Sequence, residues 1–522
     1  MCYKIHCMLC VLHGGTPGHQ IGRRRMKNRL RVLYLSTEVV PFAKTGGLAD
    51  VASALPKALF EQGHDVRVIM PKYGTINERR YTLREVIRLK EIPIKVGNRE
   101  HMVSAKSAFL PDTKVQVYFL DYKPFFERTD YYVDAKTGKD FPDNAERFFL
   151  FCKAVLETIK LLHWEPHIIH CNDWQTAMVP WLLHHHYQDD PFFAKAITVL
   201  SVHNLAYQGS FSADTLSRLG LPDELKAAGS ELECYGKINF LKAGLTTTDI
   251  ITTVSPTYAI EIQNDPELGC GLNGLLKERK DDLCGILNGV DYAVWNPEND
   301  PLIPEKFSAV NLKGKSKNKE QLLARASLPY QPEVPVIGVI SRLADQKGFD
   351  LIAAAIDDLM ALKVQLIILG TGEPRYHKLL EKLSKSHPNQ VAVFLTFDDQ
   401  LAHLIEAGSD MFLMPSRYEP CGLNQMYSLR YGTIPIVRKT GGLADTIVDY
   451  DVDANNGNGF VFEKYDAKAL KNAVARAVKL FKDEKNWQKL VKRTMKIDFS
   501  WHAAAEKYIK LYLKLENAKK KK

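Results

Sequence analysis

Short runs of β-branched and aliphatic residues recur along the chain, each followed by a longer amphipathic stretch. The clearest runs span 30–36, 66–70, 115–120, 167–170, 197–202 and 250–254, and a second series follows at 336–340, 364–369, 391–395, 411–414 and 434–437. Continuously apolar strands of this length are buried on both faces, as in parallel sheets covered by helices. Their alternation with amphipathic segments predicts α/β architecture, with one doubly wound sheet for each series. Between the series lies 288–333, rich in Pro and carrying the charged stretch 313–319, which reads as the passage from one domain to the next. The expected organisation is an extension over 1–25, a first Rossmann-like domain over 26–288, a second over 289–500, and a C-terminal helix with a basic tail over 501–522.

An internal repeat adds to this. Lys44-Thr45-Gly46-Gly47-Leu48-Ala49-Asp50 recurs unchanged as Lys439-Thr440-Gly441-Gly442-Leu443-Ala444-Asp445. Each copy follows a strand and precedes an apolar-periodic segment. The identity suggests two related halves, each presenting a Gly-Gly turn at the carboxyl edge of its sheet, where doubly wound folds bind ligands.

Composition excludes several classes. Hydrophobic residues make up 45% and charged residues 25% of the 522, which is globular usage and not that of a disordered chain. No apolar run approaches the roughly 18 residues of a membrane span, so no membrane partner is expected. The net charge of +9 is concentrated at the ends: Lys4, Arg23, Arg24 and Arg25 at one, four Lys over 519–522 at the other, leaving +1 for the body. A near-neutral body offers no basic stripe for nucleic acid, so any bound anion must be met by a few local cations. Nine Cys, an odd number scattered singly beyond the first ten positions, fit reduced thiols in a cytoplasmic protein. Cys2, Cys7, Cys10, His6 and His13 match no paired-ligand zinc spacing well, and 1–25 reads as a disordered extension ahead of Met26.

The candidate chemistry is at strand ends. In the loop at Lys44, Gly46 and Gly47, backbone N–H groups at a helix start suit phosphate oxygens. The same pattern also reads as a tight turn with an exposed Lys. Arg342 and Lys347 share the short loop Ser341-Arg342-Leu343-Ala344-Asp345-Gln346-Lys347-Gly348, directly after the strand at 336–340. An Arg fork and a Lys point charge there can hold a diphosphate and stabilise a departing nucleotide; the alternative is a solvated loop. Glu419 sits in the turn Arg417-Tyr418-Glu419-Pro420-Cys421-Gly422-Leu423, able to orient sugar hydroxyls or to pair with Arg417. Cys421 has no adjacent His to act as its base, which speaks against a thiol nucleophile. His203, at a strand tip beside Asn204, can donate hydrogen bonds to a sugar, or be structural. His170-Cys171-Asn172-Asp173-Trp174 closes another strand, with Trp174 either core or a sugar platform. His163, His167 and His170 are split by Pro166 and by strand alternation, and His184-His185-His186 reads as a helix surface. The acidic run 449–453 contains a D-x-D pattern but passes into an Asn/Gly-rich stretch, so it reads as a loop and no metal is inferred.

Together these segments resemble the bacterial glycogen synthase and plant starch synthase family of retaining glucosyltransferases, in order and spacing from 28 to about 515. Residues 44–48 match its K-T-G-G-L motif and 419–423 its E-P-C-G-L motif, while 288–291 with Trp295 and Pro297, and 438–446, look like further family segments. The resemblance implies a GT-B architecture, two Rossmann-like domains with the nucleotide sugar in a cleft, and no catalytic metal or other cofactor. It implies that Lys44, Gly46 and Gly47 lie near the nucleotide sugar, that His203 and Asn288 contact the transferred sugar, and that Glu419, Cys421, Gly422 and Leu423 line its other side. Asp173 is a further carry-over, and Arg342 and Lys347 take the leaving diphosphate. Many GT-B relatives carry a second Glu eight positions after the first, where this chain has Tyr427. The expected activity is transfer of glucose from ADP-glucose to the non-reducing end of glycogen or another α-1,4-glucan. The alternatives are a UDP-glucose-using GT-B enzyme and a non-catalytic glucan-binding relative.

Overall fold

The computed structural model describes residues 29–451, 454 and 456–521. The extension expected over 1–25, with its Cys and His residues, lies outside them, as do Asp453 of the D-x-D pattern and Lys522. The chain forms two compact units, one of residues 29–254, 259–286 and 504–521, the other of 255–258 and 287–503.

The first unit is built on seven parallel strands: β1 (Arg31–Leu35), β2 (Asp65–Pro71), β3 (Gln116–Asp121), β4 (Ile168–Asn172), β5 (Ile197–Val202), β6 (Ile250–Thr253) and β7 (Leu283–Gly285). Their order is β7-β6-β5-β4-β1-β2-β3. The strands are almost wholly buried because helices such as Gly47–Glu61 and Asn144–Leu161 supply apolar faces against them. Beyond β3 the sheet continues with antiparallel Arg99–Phe109, which pairs with Ile92–Val96. A search for continuous apolar runs misses this hairpin, since Ile92–Val96 alternates buried and exposed positions.

The second unit has six parallel strands: β8 (Val336–Ile340), β9 (Gln365–Leu369), β10 (Val391–Phe394), β11 (Met411–Met414), β12 (Ile434–Arg438) and β13 (Phe460–Phe462). Their order is β10-β9-β8-β11-β12-β13, which is the 3-2-1-4-5-6 order of a dinucleotide-binding sheet. Apolar clusters cover both faces, one around Phe349, Tyr431 and Trp487, the other around Leu322, Phe412 and Leu429. The proline-rich stretch is not a passage between domains: 288–333 lies wholly in this unit. Its charged segment is the helix Lys313–Arg325, whose Lys315 Nζ is buried on the carbonyls of Ala407 and Tyr431.

The repeat has a different meaning from the one its sequence suggests. Residues 44–50 follow the first strand of their sheet, whereas 439–445 follow β12, the fifth strand of theirs. The copies are not equivalent positions of a duplicated domain. The C-terminal helix Trp501–Lys519 starts in the second unit and belongs to the first from Ala504 onwards. Buried Tyr512 there bonds His170 Nδ1 at 2.6 Å.

Candidate functional site

Strand order locates the ligand-binding edge in each unit, because the sheet direction of connection reverses between β1 and β4 and between β8 and β11. In the second unit the loop after β8 is pinned as an extension of the strand. Ser341 N–H donates to Leu369 O at 3.1 Å, Leu343 N–H to Thr371 O at 2.9 Å, and Glu373 N–H to Leu343 O at 2.8 Å. A Cβ on Gly370 would stand 2.0 Å from Ser341 O, so this approach of the β9 loop requires glycine. Arg342, held by this backbone, is exposed and its guanidinium has no acidic partner among the described residues.

Lys347, five positions on, is partly buried and ion-paired: its Nζ lies 2.5 Å from Glu419 Oε2. Ser416 Oγ donates to the same oxygen at 3.1 Å. The pairing of Glu419 with Arg417 weighed from sequence is not found; Arg417 lies near Asp345 and Asp350 instead. Glu419 is 6% exposed, and its turn is clamped from behind by the second glycine pair. A Cβ on Gly441 would lie 2.0 Å from Glu419 O and one on Gly442 2.0 Å from Cys421 O. Gly442 N–H donates to Glu419 O at 3.1 Å. Those glycines are therefore packing glycines.

Burial pushes the Cys421 thiol up to about 12, which removes it as a nucleophile at neutral pH. The Asn288 backbone hydrogen-bonds this thiol, and the buried Asn288 Oδ1 has no partner among the described residues. Gly422 takes the left-handed conformation at φ +70°, and Leu423 precedes the helix Asn424–Arg430. Asn424 Nδ2 donates to Ile340 O at 2.8 Å, which ties this turn to the end of β8. Sequence reading missed Phe397, which follows β10 and is 84% exposed. The available signal was an aromatic in the polar loop after an apolar strand.

In the first unit the loop after β1 differs from expectation. Gly46 has open space where its Cβ would be, and Lys44 is exposed, paired with Asp50 at 2.8 Å. The N–H groups of Thr45 and Gly46, expected to be free for phosphate, donate instead to the carboxylate of buried Glu38, which also accepts from Thr45 Oγ1 at 2.7 Å. Tyr132 OH donates to Glu38 Oε1, the oxygen that Thr45 Oγ1 also uses, at 2.9 Å. An internal anion fills the backbone nest, leaving Lys44 as the loop's cation and the face at Gly46 and Gly47 open.

At the end of β4, Asp173 has φ +55° and accepts His203 N–H at 2.7 Å. Burial, reinforced by Glu38, raises the Asp173 carboxyl to about 7. His203 is lowered to about 4 by burial and is neutral. Its Nε2 lies 2.9 Å from Asn172 Oδ1. The amide orientation of Asn172 is fixed because its Nδ2 donates to Leu35 O, so Nε2 carries the proton. The Nδ1 of His203 is then a lone-pair acceptor, opposite to the donor role expected from sequence. His170 is structural, with Tyr512 and Ser201 on its two nitrogens. Trp174 is core: it packs on Phe148 and Phe211, and a Cβ on Gly209 would lie 2.3 Å from its ring.

Two sheets of Rossmann order, with Arg342 and Lys347 after the switch-point strand of one and His203 with buried Asp173 at strand ends of the other, define the GT-B glycosyltransferase fold. Comparison with known proteins agrees. Residues 31–278 match the starch synthase catalytic domain and 321–494 match glycosyl transferases group 1. The glycogen synthase of Desulforudis audaxviator is 46% identical over 501 residues, covering 92% of this chain and 96% of that protein. That of Syntrophotalea carbinolica is 45% identical, covering 93% and 99%. The chain belongs to the glycogen synthase and starch synthase family of retaining glycosyltransferases. Among solved structures, the catalytic domain of starch synthase IV from Arabidopsis thaliana, bound to ADP and acarbose, aligns with a TM-score of 0.84 at 35% identity over 94% of this chain and 100% of that one. A sucrose-phosphate synthase from Thermosynechococcus elongatus, 17% identical with a TM-score of 0.56, shares the fold. Among the described residues no helix is long and apolar enough to cross a membrane.

Proposed function

We propose that the chain transfers a glucosyl group from ADP-glucose to the non-reducing end of an α-1,4-glucan such as glycogen, with retention at C1, in the cytoplasm. The observation that carries the reading is the unpaired Arg342 next to the Lys347–Glu419 pair at the switch point of a Rossmann-ordered sheet. Arg342 and Lys347 meet the diphosphate. As the bond from C1 to the diphosphate oxygen breaks, they stabilise the charge left on the nucleotide, and no divalent ion is called on for this. Phe397 offers its exposed ring to the adenine as a stacking face. Glu419, with Cys421, Gly422, Leu423 and Asn288 around it, orients the sugar.

In the first unit Lys44, Gly46 and Gly47 approach the donor, and His203 Nδ1 accepts a sugar hydroxyl while Asp173 holds the His203 backbone. The acceptor hydroxyl attacks C1 on the face the diphosphate leaves, its proton passing to the departing phosphate oxygen. Release of ADP from ADP-glucose, measured with and without glycogen and against UDP-glucose, tests this. Glycogen-dependent ADP release supports the reading. Faster turnover of UDP-glucose, or co-sedimentation with glycogen without nucleotide release, overturns it.

A further inference from the structure

A second constellation lies in the first unit, among residues to which the proposed reaction gives no role. It is at the C-terminal end of the helix Met178–His185. Consecutive helical residues project about 100° apart and do not normally face each other. Here the rings of His184 and His185 nevertheless lie 4.8 Å apart, edge to face, in the last turn of the helix. Glu231, from the segment just before the short strand Glu233–Cys234, reaches the same spot. Its Oε2 accepts from His185 Nε2 at 2.6 Å and from Trp181 Nε1 at 3.0 Å. One donor atom from each of His184, His185 and Glu231 lies within 4.8 Å of the others.

We propose that His184, His185 and Glu231 form a binding site for a divalent transition metal of the zinc class, which ties the helix end to the 229–234 segment. Two imidazoles and a carboxylate, with water in the remaining position, are a donor set that zinc accepts. Bonds of about 2.0–2.2 Å set donor separations of roughly 3.3–3.5 Å, so His185 and Glu231 part slightly from 2.6 Å while the wider separations close. Both His are exposed and Glu231 is half-buried, so small side-chain rotations supply that movement. The proton shared by His185 and Glu231 is what the metal replaces. Trp181 Nε1 stays on the carboxylate and fixes its direction, the outer support that metal-ligating groups commonly have. The neighbouring charges leave the trio available. Lys242 Nζ is spent on the carbonyls of Ser230 and Glu233, and Glu233 accepts the N–H groups of Gly229 and Gly236.

The test is a Zn2+ titration of the full chain in competition with a chromophoric chelator, comparing wild type with His184→Ala and Glu231→Gln. Wild type is expected to show one site that each variant weakens by about tenfold or more, with Trp181→Phe giving a smaller loss. Zn2+ is also expected to raise the thermal midpoint of wild type and not of His184→Ala. Should either variant fail to fold, the visible absorption of Co2+ bound to wild type decides, N/O ligation supporting the site and thiolate-only ligation overturning it. Equal Zn2+ affinity in wild type and both variants sinks the proposal, including the case in which zinc binds only elsewhere in the chain.

Discussion

The ammonium of Lys347 and the carboxylate of Glu419 form one unit, 2.5 Å apart and largely shielded from water. A bare cation poised for a diphosphate would be costly to bury; its partner keeps it in place until a second anion arrives. Lys347→Ala leaves Glu419 as a buried carboxylate without its cation, and removes a charge from the transition state. We expect kcat to fall by about 10²–10³ at saturating donor, the usual cost of losing one preorganised electrostatic group. Glu419→Gln keeps an acceptor for Ser416 and lowers kcat more than it raises the donor KM. Arg342→Ala is expected to match Lys347→Ala in direction. Steady-state ADP release with varied donor decides; near-full turnover of Arg342→Ala with saturating donor would contradict the assigned role.

Glu38 is expected to be as important to the first loop as the loop's own residues. Its carboxylate satisfies Thr45 and Gly46 and is itself braced by Tyr132. Glu38→Ala opens the backbone nest and frees the loop. Mispositioning by about 1 Å can cost 10²-fold in rate, so a loss of that order in kcat/KM is expected. Limited proteolysis should show new cleavage near 44–47 in this variant and not in Lys44→Ala.

Much of this was legible in the sequence. Eleven of the thirteen parallel strands announced themselves as continuous apolar runs, the three-residue strands Leu283–Gly285 and Phe460–Phe462 being too short to do so, and Arg342, Lys347 and Glu419 could be singled out because each follows such a run. What the sequence hid was partnership. Nothing in the spacing of Lys347 and Glu419, 72 positions apart, says that they meet. Glu38 looked like an unremarked residue before an aromatic loop, since its role depends on a chain reversal that brings it onto Thr45. The two identical K-T-G-G-L-A-D segments suggested related halves, yet the copies sit in different surroundings: Gly46 faces open space while Gly441 is pressed against Glu419 O.

Tyr427, eight positions after Glu419, is one layer of an aromatic stack. Its ring stacks on Trp295 at 4.2 Å and 5°, and the other face of Trp295 stacks on His403 at 3.8 Å and 11°. His403 and Tyr431 both bond the fully buried Asp300 at 2.8 and 2.5 Å. This stack braces the helix Asn424–Arg430, whose start carries the Glu419 turn. Tyr427→Phe keeps the stack and should leave kcat and thermal midpoint close to wild type. Tyr427→Ala loses an aromatic pair of about 0.5–1.5 kcal/mol beyond area burial, and Tyr427→Glu puts a charge against the indole face. Both should lower the midpoint and kcat together, with Phe as the rescuing variant. Higher activity in Tyr427→Glu would overturn this account.

Asp173 gives a pH dependence whose sign is fixed by its environment. Burial raises its carboxyl to about 7 in the folded chain, against an ordinary value of 3.8. The folded state therefore binds a proton more tightly than the unfolded state. The stabilisation this confers is present at acidic pH and is lost as pH rises from about 4 through 7. Asp173→Asn retains an oxygen to accept the His203 N–H but cannot ionise. Urea midpoints measured between pH 5 and 8 should fall with rising pH in wild type more than in the variant. His203, held near 4 by burial against an ordinary 6.5, takes up a proton on unfolding below about pH 6.5 and so opposes this trend equally in both proteins, which is why the difference from Asp173→Asn carries the test. Parallel curves for the two proteins would show that Asp173 ionises freely and that its carboxylate is stabilised by groups other than those described.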